Sequence, residues 1–214
     1  MTTHVCLTAR HHIILNSLRF LGAALLALTF SLPAWATDPL FSWGAGATKS
    51  AITSFVTGVT DSHGKDYVSP AERIAVFDND GTLWAEQPMY FQVLFAFDRL
   101  RAMAPQHTEW NDQPVLRAAI AGDMKGALAE GEKGLLEVVT LTHGGDIDAF
   151  RVEAKAWLMQ ARHPQTERRY TEMVYQPMLE LLDYLRDNGF KIYIVSGGDV
   201  EFMRAFAESV YGIP

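Results

Sequence analysis

The chain has 214 residues, of which 49% are hydrophobic, and its formal net charge is −7. This length allows one domain, or one domain with an insertion, and the hydrophobic content is ordinary for a globular protein. The acidic balance argues against a nucleic-acid-binding surface, which would need clustered lysines and arginines. A phosphate site would have to rely on local groups or on a metal ion, because the overall field repels anions.

The first 36 residues have the pattern of a secretory signal peptide. Arg10 and Arg19 precede or flank a short apolar core at 20–30, and Ala34-Trp35-Ala36 forms a small-x-small cleavage site. The alternative is an uncleaved membrane anchor, but the core is well short of the ~20 apolar residues that a spanning helix needs. We predict cleavage after residue 36, export, and no stable membrane span in the mature chain. The single cysteine, Cys6, lies in this leader, so the mature chain would have no disulfide.

The first part of the mature chain predicts a helix and then a strand. Ala51, Phe55 and Val59 recur every four residues, which predicts a short helix. The apolar run at 74–77 predicts a buried parallel strand.

The stretch from 87 to 175 has only helical patterns. Pro88 suits the first turn of a helix rich in aromatic residues, which residues 106–112 break. Shorter helical patterns follow at 115–121, 125–129, 133–141 and 147–159. Because no strand pattern appears here, we predict a helical insertion.

A second helix and a second strand follow. Pro177 opens an amphipathic helix, and Gly189 stands where a glycine ends one. Residues 192–195 predict another buried strand, and Asp199 predicts the N-cap of a helix at 200–211. A strand, a long helical crossover and a second strand imply a parallel pair.

The most informative residues follow the first strand. Asp78 and Asp80 stand two residues apart, and where the strand ends and turns both carboxylates can face one site. The turn formed by Asn79, Gly81 and Thr82 can present backbone N–H groups to an anion. Two acids beside an anion site suit Mg²⁺ and a phosphate. The alternative is an ordinary surface turn, which need not follow an apolar run.

A hydroxyl and two glycines follow the second strand. Ser196 lies at the carboxyl end of this strand, where open α/β sheets bind ligands. The N–H groups of Gly197 and Gly198 favour an anion there. Ser-Gly-Gly alone is also common as a simple turn, and the pairing with Asp78 and Asp80 strengthens the functional interpretation.

Both segments resemble motifs of the haloacid dehalogenase (HAD) superfamily: Asp78-Asn79-Asp80-Gly81-Thr82 the first, and 195–199 the second. The resemblance implies an α/β fold, with a Rossmann-like core whose parallel sheet is only partly present. It places an α-helical cap at 87–175, between strands 1 and 2, and core segments at 37–86 and 176–214. The order of the parts resembles the phosphoserine-phosphatase-like branch. The phrase at 81–88 is similar to exported bacterial members, which predicts a periplasmic location.

The resemblance also implies a role for each matching residue. Asp78 would attack phosphorus, form an aspartyl-phosphate and bind Mg²⁺. Asp80 would protonate the leaving alcohol, later activate water, and supply a second metal ligand. Ser196 and Gly197 would hold phosphoryl oxygens. A small phosphorylated compound is the implied partner. Asp80 favours phosphate chemistry over dehalogenation, phosphotransfer stays open, and so does the oligomeric state.

Three further residues are candidates for substrate contacts. Glu86 lies where the branch often places an acid at the cap entry, and Arg99 and Arg101 suit a carboxylate or a phosphate. The alternative for each is a solvated helix face.

Two family features have no counterpart at the expected places. HAD enzymes use a later lysine and a later acidic motif, whereas Lys191 begins the second strand, about 16 Å from Ser196 at the wrong end. We therefore expect an N-terminal portion of a longer protein with little Mg²⁺-dependent phosphatase activity of its own. The alternative to an enzyme is a truncated or degenerate HAD domain without turnover.

Overall fold

A computed structural model of the chain describes residues 38–214, so the predicted signal peptide lies outside the described residues. The elements in chain order are helix α1 (Ala47–Thr60), strand β1 (Ile74–Phe77), helices α2 (Phe91–Met103), α3 (Pro114–Ala121), α4 (Met124–Ala127), α5 (Glu132–Thr142), α6 (Ile147–Gln160) and α7 (Gln176–Asp187), strand β2 (Lys191–Ile194), and helices α8 (Val200–Arg204) and α9 (Ala207–Tyr211). Short 3-10 helices occur at Ala104–Gln106, Thr108–Asp112 and Tyr170–Glu172. Within this part of the chain, no helix combines the length and the apolar character that crossing a membrane requires.

The two strands form a parallel pair, with Ile74 opposite Lys191 and Phe77 opposite Ile194. The prediction of an α/β chain with this pair is confirmed. The prediction that both strands are buried is wrong, because their residues alternate between exposed and partly buried. Helices α1 and α7 cover the face that carries Phe77 and Ile192. The opposite face, with Ile74, Val76 and Tyr193, is about half exposed or more; we call it the outer face.

Helices α2 to α6 fill the chain between the strands, as the periodicity predicted. Their own apolar cluster includes Val93, Leu100, Trp110, Leu116 and Val138. One detail of the prediction is wrong, because α2 begins at Phe91 and Pro88 precedes its first turn. The stretch up to Tyr90 runs as irregular chain along the site instead.

The helix predicted at 200–211 is two short helices, α8 and α9. Asp199 caps the first as expected, since its Oδ1 accepts the N–H groups of Glu201 and Phe202. The break falls at Phe206, whose non-helical backbone lets its ring stack on Trp84 with centroids 4.3 Å apart. Packing of this aromatic residue accompanies the interruption, which apolar spacing alone does not predict.

The helical segment leaves the first strand and returns to α7 at adjacent points. The N–H of Ala85 donates to the carbonyl of Met173 at 2.9 Å, and the N–H of Tyr175 donates to that of Leu83 at 3.0 Å. An apolar cluster surrounds this crossing, which we call the junction cluster; it includes Trp84, Phe91, Phe150, Tyr170, Leu182, Phe202, Phe206 and Tyr211. Because it joins residues from both sides and residues 39–214 form one compact unit, the division at 87 and 175 stays a prediction.

Candidate active site

The loop after β1 continues the alternation of the strand, so that neighbouring side chains point to opposite sides. Asp78 is exposed, whereas Asn79 is 2% exposed. The Asn79 carbonyl accepts the N–H groups of Thr82, Leu83 and Trp84 at 3.1, 2.8 and 3.3 Å, which closes a tight turn. Gly81 has a φ of +71°, and a Cβ there would lie 2.9 Å from the Glu86 carboxylate. The left-handed backbone therefore favours glycine here, whereas the Glu86 carboxylate is the end of a flexible side chain that can move aside.

The N–H groups of the turn, which the sequence predicted to bind an anion, donate within the loop. The N–H of Asn79 donates to Asp78 Oδ1 at 2.7 Å, that of Gly81 to the Trp84 carbonyl at 2.9 Å, and that of Thr82 to the Asn79 carbonyl at 3.1 Å. Each of these three N–H groups thus already has an acceptor in its own loop, and phosphate binding by these residues stays a prediction.

The Asn79 side chain points into the protein rather than toward a ligand. Its Oδ1 accepts the hydroxyl of Tyr211 at 3.1 Å, which ties the loop to α9. Burial, aided by the negative charge of Asp80, raises the pKa of Tyr211 far above its ordinary range, so the hydroxyl stays a donor. Asn79 is thus a structural residue of the loop.

The loop after β2 is held from several sides. The N–H of Gly198 donates to Ser196 Oγ at 3.2 Å, and the N–H of Asp199 donates to Gln92 Oε1 at 2.7 Å. Among residues 38–214, the N–H of Gly197 has no hydrogen-bond acceptor. Gly197 is therefore a donor in this loop that a ligand can use.

The two loops meet at a cavity of about 730 Å³ that helices α2 and α5 complete. Its polar lining residues are Asp78, Asp80, Glu86, Gln92, Glu132, Ser196, Gly197 and Gly198. Its apolar lining residues are Met89, Tyr90, Val93, Leu135, Leu136 and Val139. Six of the residues singled out from the sequence therefore come together here: both aspartates, Glu86, Ser196, Gly197 and Gly198.

The two arginines proposed as substrate contacts do not line this cavity. Arg99 Nε donates to Glu153 Oε2 at 2.7 Å, and its guanidinium also bonds the Thr142 carbonyl. Arg101 pairs with Asp98 on its own helix. Both therefore act within the helical segment, Arg99 by linking α2 to α5 and α6, and substrate contact is not supported for either residue.

Asp80 occupies an environment that favours its protonated form. Burial raises the pKa of its carboxyl above the ordinary value. The hydrogen bond from Trp84 Nε1 to Asp80 Oδ1, at 2.7 Å, opposes this rise in pKa. The negative charges of Asp78 and Glu86 add to the rise. A carboxyl in this environment is suited to give and take a proton.

The two aspartates fit a magnesium ion through the chemistry of their donors. Asp78 and Asp80 each use Oδ1 in a hydrogen bond within the loop, at 2.7 Å in both cases, while Oδ2 of each has no such partner in the described chain. Within residues 38–214 there is no group of three acidic, histidine or cysteine side chains placed to enclose an ion. The two carboxylates suit Mg²⁺, which keeps water and phosphate oxygens beside one or two such ligands.

Gln92 is a site residue that the sequence analysis missed. It lies in the first turn of α2, lines the cavity and holds the second loop through the Asp199 N–H. His143 contacts the same residue of this loop, since its Nδ1 lies 2.8 Å from Asp199 Oδ2. The helical segment thus contacts the second loop from two helices. A single amide in the first turn of a helix gives no signal that would have identified this contact.

Comparison with known families agrees with this geometry. The model of the haloacid dehalogenase-like hydrolase family matches residues 72–214, which include both loops and all the lining residues of the cavity. This match covers more than half of the chain, so the chain belongs to the haloacid dehalogenase-like hydrolases. A search of curated proteins finds no match.

Proposed function

We propose that this hydrolase cleaves phosphate monoesters with the help of Mg²⁺, through an aspartyl-phosphate at Asp78. The observation that carries the proposal is the meeting of Asp78, Asp80, Ser196 and Gly197 in one cavity, at the carboxyl ends of two parallel strands. Ligands of open α/β sheets bind at this edge, so the location supports the assignment independently of the motif.

Asp78 is the proposed nucleophile. Its Oδ1 is fixed by the N–H of Asn79, which leaves Oδ2 to attack phosphorus. A new bond forms between Oδ2 and phosphorus while the bond from phosphorus to the ester oxygen breaks. Ser196 Oγ and the N–H of Gly197 donate hydrogen bonds to the phosphoryl oxygens and stabilise the charge that develops on them.

Asp80 is the proposed acid and base. In the first step it gives its proton to the departing alkoxide, so that the alcohol leaves neutral. In the second step the ionised carboxylate takes a proton from water as the water oxygen attacks the phosphoryl group, and Asp78 and inorganic phosphate are released. Its raised pKa supports this role, because the group must carry a proton at the start of each cycle.

Mg²⁺ would be held by the carboxylate of Asp78 and by the backbone carbonyl of Asp80, which leaves the Asp80 carboxyl for proton transfer. When bound there, it would offset the repulsion between the nucleophilic carboxylate and the phosphate. Glu86 lies against Gly81 beside these residues, lines the cavity and would contact the substrate.

Two further parts of the proposal concern the helical segment and the location of the protein. The helices between β1 and β2 would act as a cap, because Met89, Tyr90, Leu135 and Leu136 stand over the proposed site and would exclude water from it. Export to a bacterial periplasm would follow from the signal-peptide pattern at 1–36.

The test measures p-nitrophenol release from p-nitrophenyl phosphate by the full chain, with and without Mg²⁺. We expect slow release that requires Mg²⁺ and that Asp78→Asn abolishes. Ser196→Ala should lower the rate about 100- to 1,000-fold, because it removes one donor to the developing charge. Trapping with borohydride and peptide mapping should locate the phosphoryl group on Asp78.

The control is Ser50→Ala, an exposed serine in α1 that does not line the cavity. Activity that persists in Asp78→Asn would contradict the proposed nucleophile. A folded chain that neither forms the aspartyl-phosphate nor releases p-nitrophenol would favour the degenerate domain without turnover.

A further inference from the structure

The two walls of the cavity differ in chemistry. One wall is the loops at the strand ends, with Asp78, Asp80 and Ser196. The other is the start of α2 with one face of α5, and it carries Tyr90, Leu136 and four further apolar side chains. Leu136 is 63% exposed and Tyr90 is 47% exposed, so both side chains are open to solvent at the cavity. A large apolar surface left uncovered beside a polar site is typical of a ligand pocket.

The charges of the cavity are of one sign. Its charged lining residues are Asp78, Asp80, Glu86 and Glu132, and within residues 38–214 no lysine or arginine lines it. Bound Mg²⁺ would offset charge near the two aspartates, but Glu132 lies at the start of α5, on the helical side. A second anionic group on a substrate would therefore meet either a carboxylate or an apolar wall, and both disfavour it.

We propose that the substrate is a phosphate monoester of an apolar alcohol that carries no second negative group, an aryl phosphate being the simplest example. This inference rests on the function proposed above. With the phosphoryl group between the loops of Asp78 and Ser196, the alcohol part extends toward Tyr90 and Leu136. The specificity is then set by the apolar side chains of α5 and of the stretch before α2, which release water when the alcohol binds.

The test measures binding of three non-hydrolysable phosphonates to the full chain with Mg²⁺ by isothermal titration calorimetry. The probes are phenylphosphonate, methylphosphonate and 2-carboxyethylphosphonate. We expect phenylphosphonate to bind at least about tenfold more tightly than methylphosphonate, because burial of the ring removes apolar surface from water. The carboxyethyl compound should bind no more tightly than methylphosphonate.

Leu136→Ser is the informative variant, because the side chain is exposed and its loss leaves the fold intact. We expect it to weaken phenylphosphonate about threefold or more while methylphosphonate is unchanged. Met159→Ser is the matched control, since Met159 is 64% exposed on α6 and does not line the cavity. It should change neither affinity.

The outcomes separate this inference from the function on which it rests. Equal affinities for the phenyl and methyl compounds, tighter binding of the carboxyethyl compound, or a Leu136→Ser variant that binds like the wild type would each overturn the inference alone. Absence of binding by every phosphonate, or binding that Ser196→Ala leaves unchanged, would overturn the phosphate site and the inference with it.

Discussion

The junction cluster and the outer face of the sheet both contain large apolar side chains, but only the first is closed to solvent. Trp84, Phe206 and Tyr211 are almost fully buried, whereas Ile74 and Val76 are exposed on the strand that leads into the active-site loop. The loop is therefore held by the residues behind it, through Asn79 and Trp84, rather than by the strand's outer face. Contacts with residues outside the loop, above all the one from Tyr211, thus help to fix the positions of Asp78 and Asp80.

The largest expected effect is that of removing an aromatic ring from the junction cluster. Phe206→Ala should lower the free energy of unfolding by about 3–5 kcal/mol, because the ring is buried and leaves a cavity beside Trp84. Phe55→Ala on α1 is the matched control, and it should change stability by about 0.5 kcal/mol or less. Phe206 is 2% exposed and Phe55 is 62% exposed. Urea unfolding followed by circular dichroism measures both.

A similar loss of stability in the two variants would contradict this difference between buried and exposed apolar residues. It would mean that α1 and the outer side of the sheet are covered in solution and contribute as much as the junction does.

A smaller effect is expected from the buried hydrogen bond between Asn79 and Tyr211. Asn79→Ala should cost about 1–3 kcal/mol of unfolding free energy, because it leaves the buried Tyr211 hydroxyl without its acceptor. The neighbouring exposed residue gives the contrast, and Asp78→Ala should cost about 0.5 kcal/mol or less. Thermal and urea unfolding of the two variants compare the inner and outer sides of a single loop.

Tyr211→Phe completes the cycle for this bond. The double variant Asn79→Ala, Tyr211→Phe should be less destabilised than the sum of the single variants, because the hydroxyl that lacks an acceptor is gone. Strict additivity would show that the two groups do not interact in solution.

The smallest expected effect is a gain in stability when the charge of Asp80 is removed by substitution. Its folded-state pKa is raised above the ordinary value, so the folded chain binds the proton more tightly than the unfolded chain does. The ionised carboxyl therefore destabilises the fold above the raised pKa. Below the ordinary value both states are protonated, and this cost vanishes. Asp80→Asn should accordingly raise the free energy of unfolding near neutral pH by about 0.5 kcal/mol or less, because solvent screens the charge of this partly exposed group.

Asp80→Asn is well suited to this measurement because the amide oxygen can still accept the Trp84 indole N–H. Thermal unfolding across a pH series should show the gain shrinking as the pH falls through the raised pKa toward the ordinary value. A gain of constant size at every pH, or a loss near neutrality, would contradict the electrostatic origin.

The spacing of apolar residues predicted most of the helices and strands, because this spacing depends on local chain geometry. Strand β1 follows its apolar run, Pro177 stands in the first turn of α7, and Asp199 caps α8 as predicted. Apolar runs do not tell how many sides of a strand other elements cover, and for this reason the predicted burial of both strands was wrong. The single helix predicted at 200–211 was wrong because contacts of Phe206 with distant residues accompany its interruption.

The candidate site likewise has residues whose positions the sequence predicts and contacts that it does not. The positions of Asp78, Asp80 and Ser196 follow from strand ends, which a sequence reveals, and these residues do line one cavity. The inward turn of Asn79 depends on Tyr211, and the engagement of Arg99 depends on Glu153, more than 50 residues away. Gln92 was missed for the same reason, since its partner Asp199 lies in the second loop. Long-range hydrogen bonds of this kind leave no periodic trace in the sequence.

The paired backbone at 83–85 and 173–175 has a consequence for how the molecule can vary. The intervening helices leave and return at hydrogen-bonded neighbours, so the two ends of the stretch they form lie side by side. The length of that stretch can change while the carboxylate loop keeps its place, provided that Phe91, Phe150 and Tyr170 of the junction cluster are retained. The part of the stretch that lies away from this crossing can therefore vary, and substrate selectivity with it, while the residues at the strand ends stay the same.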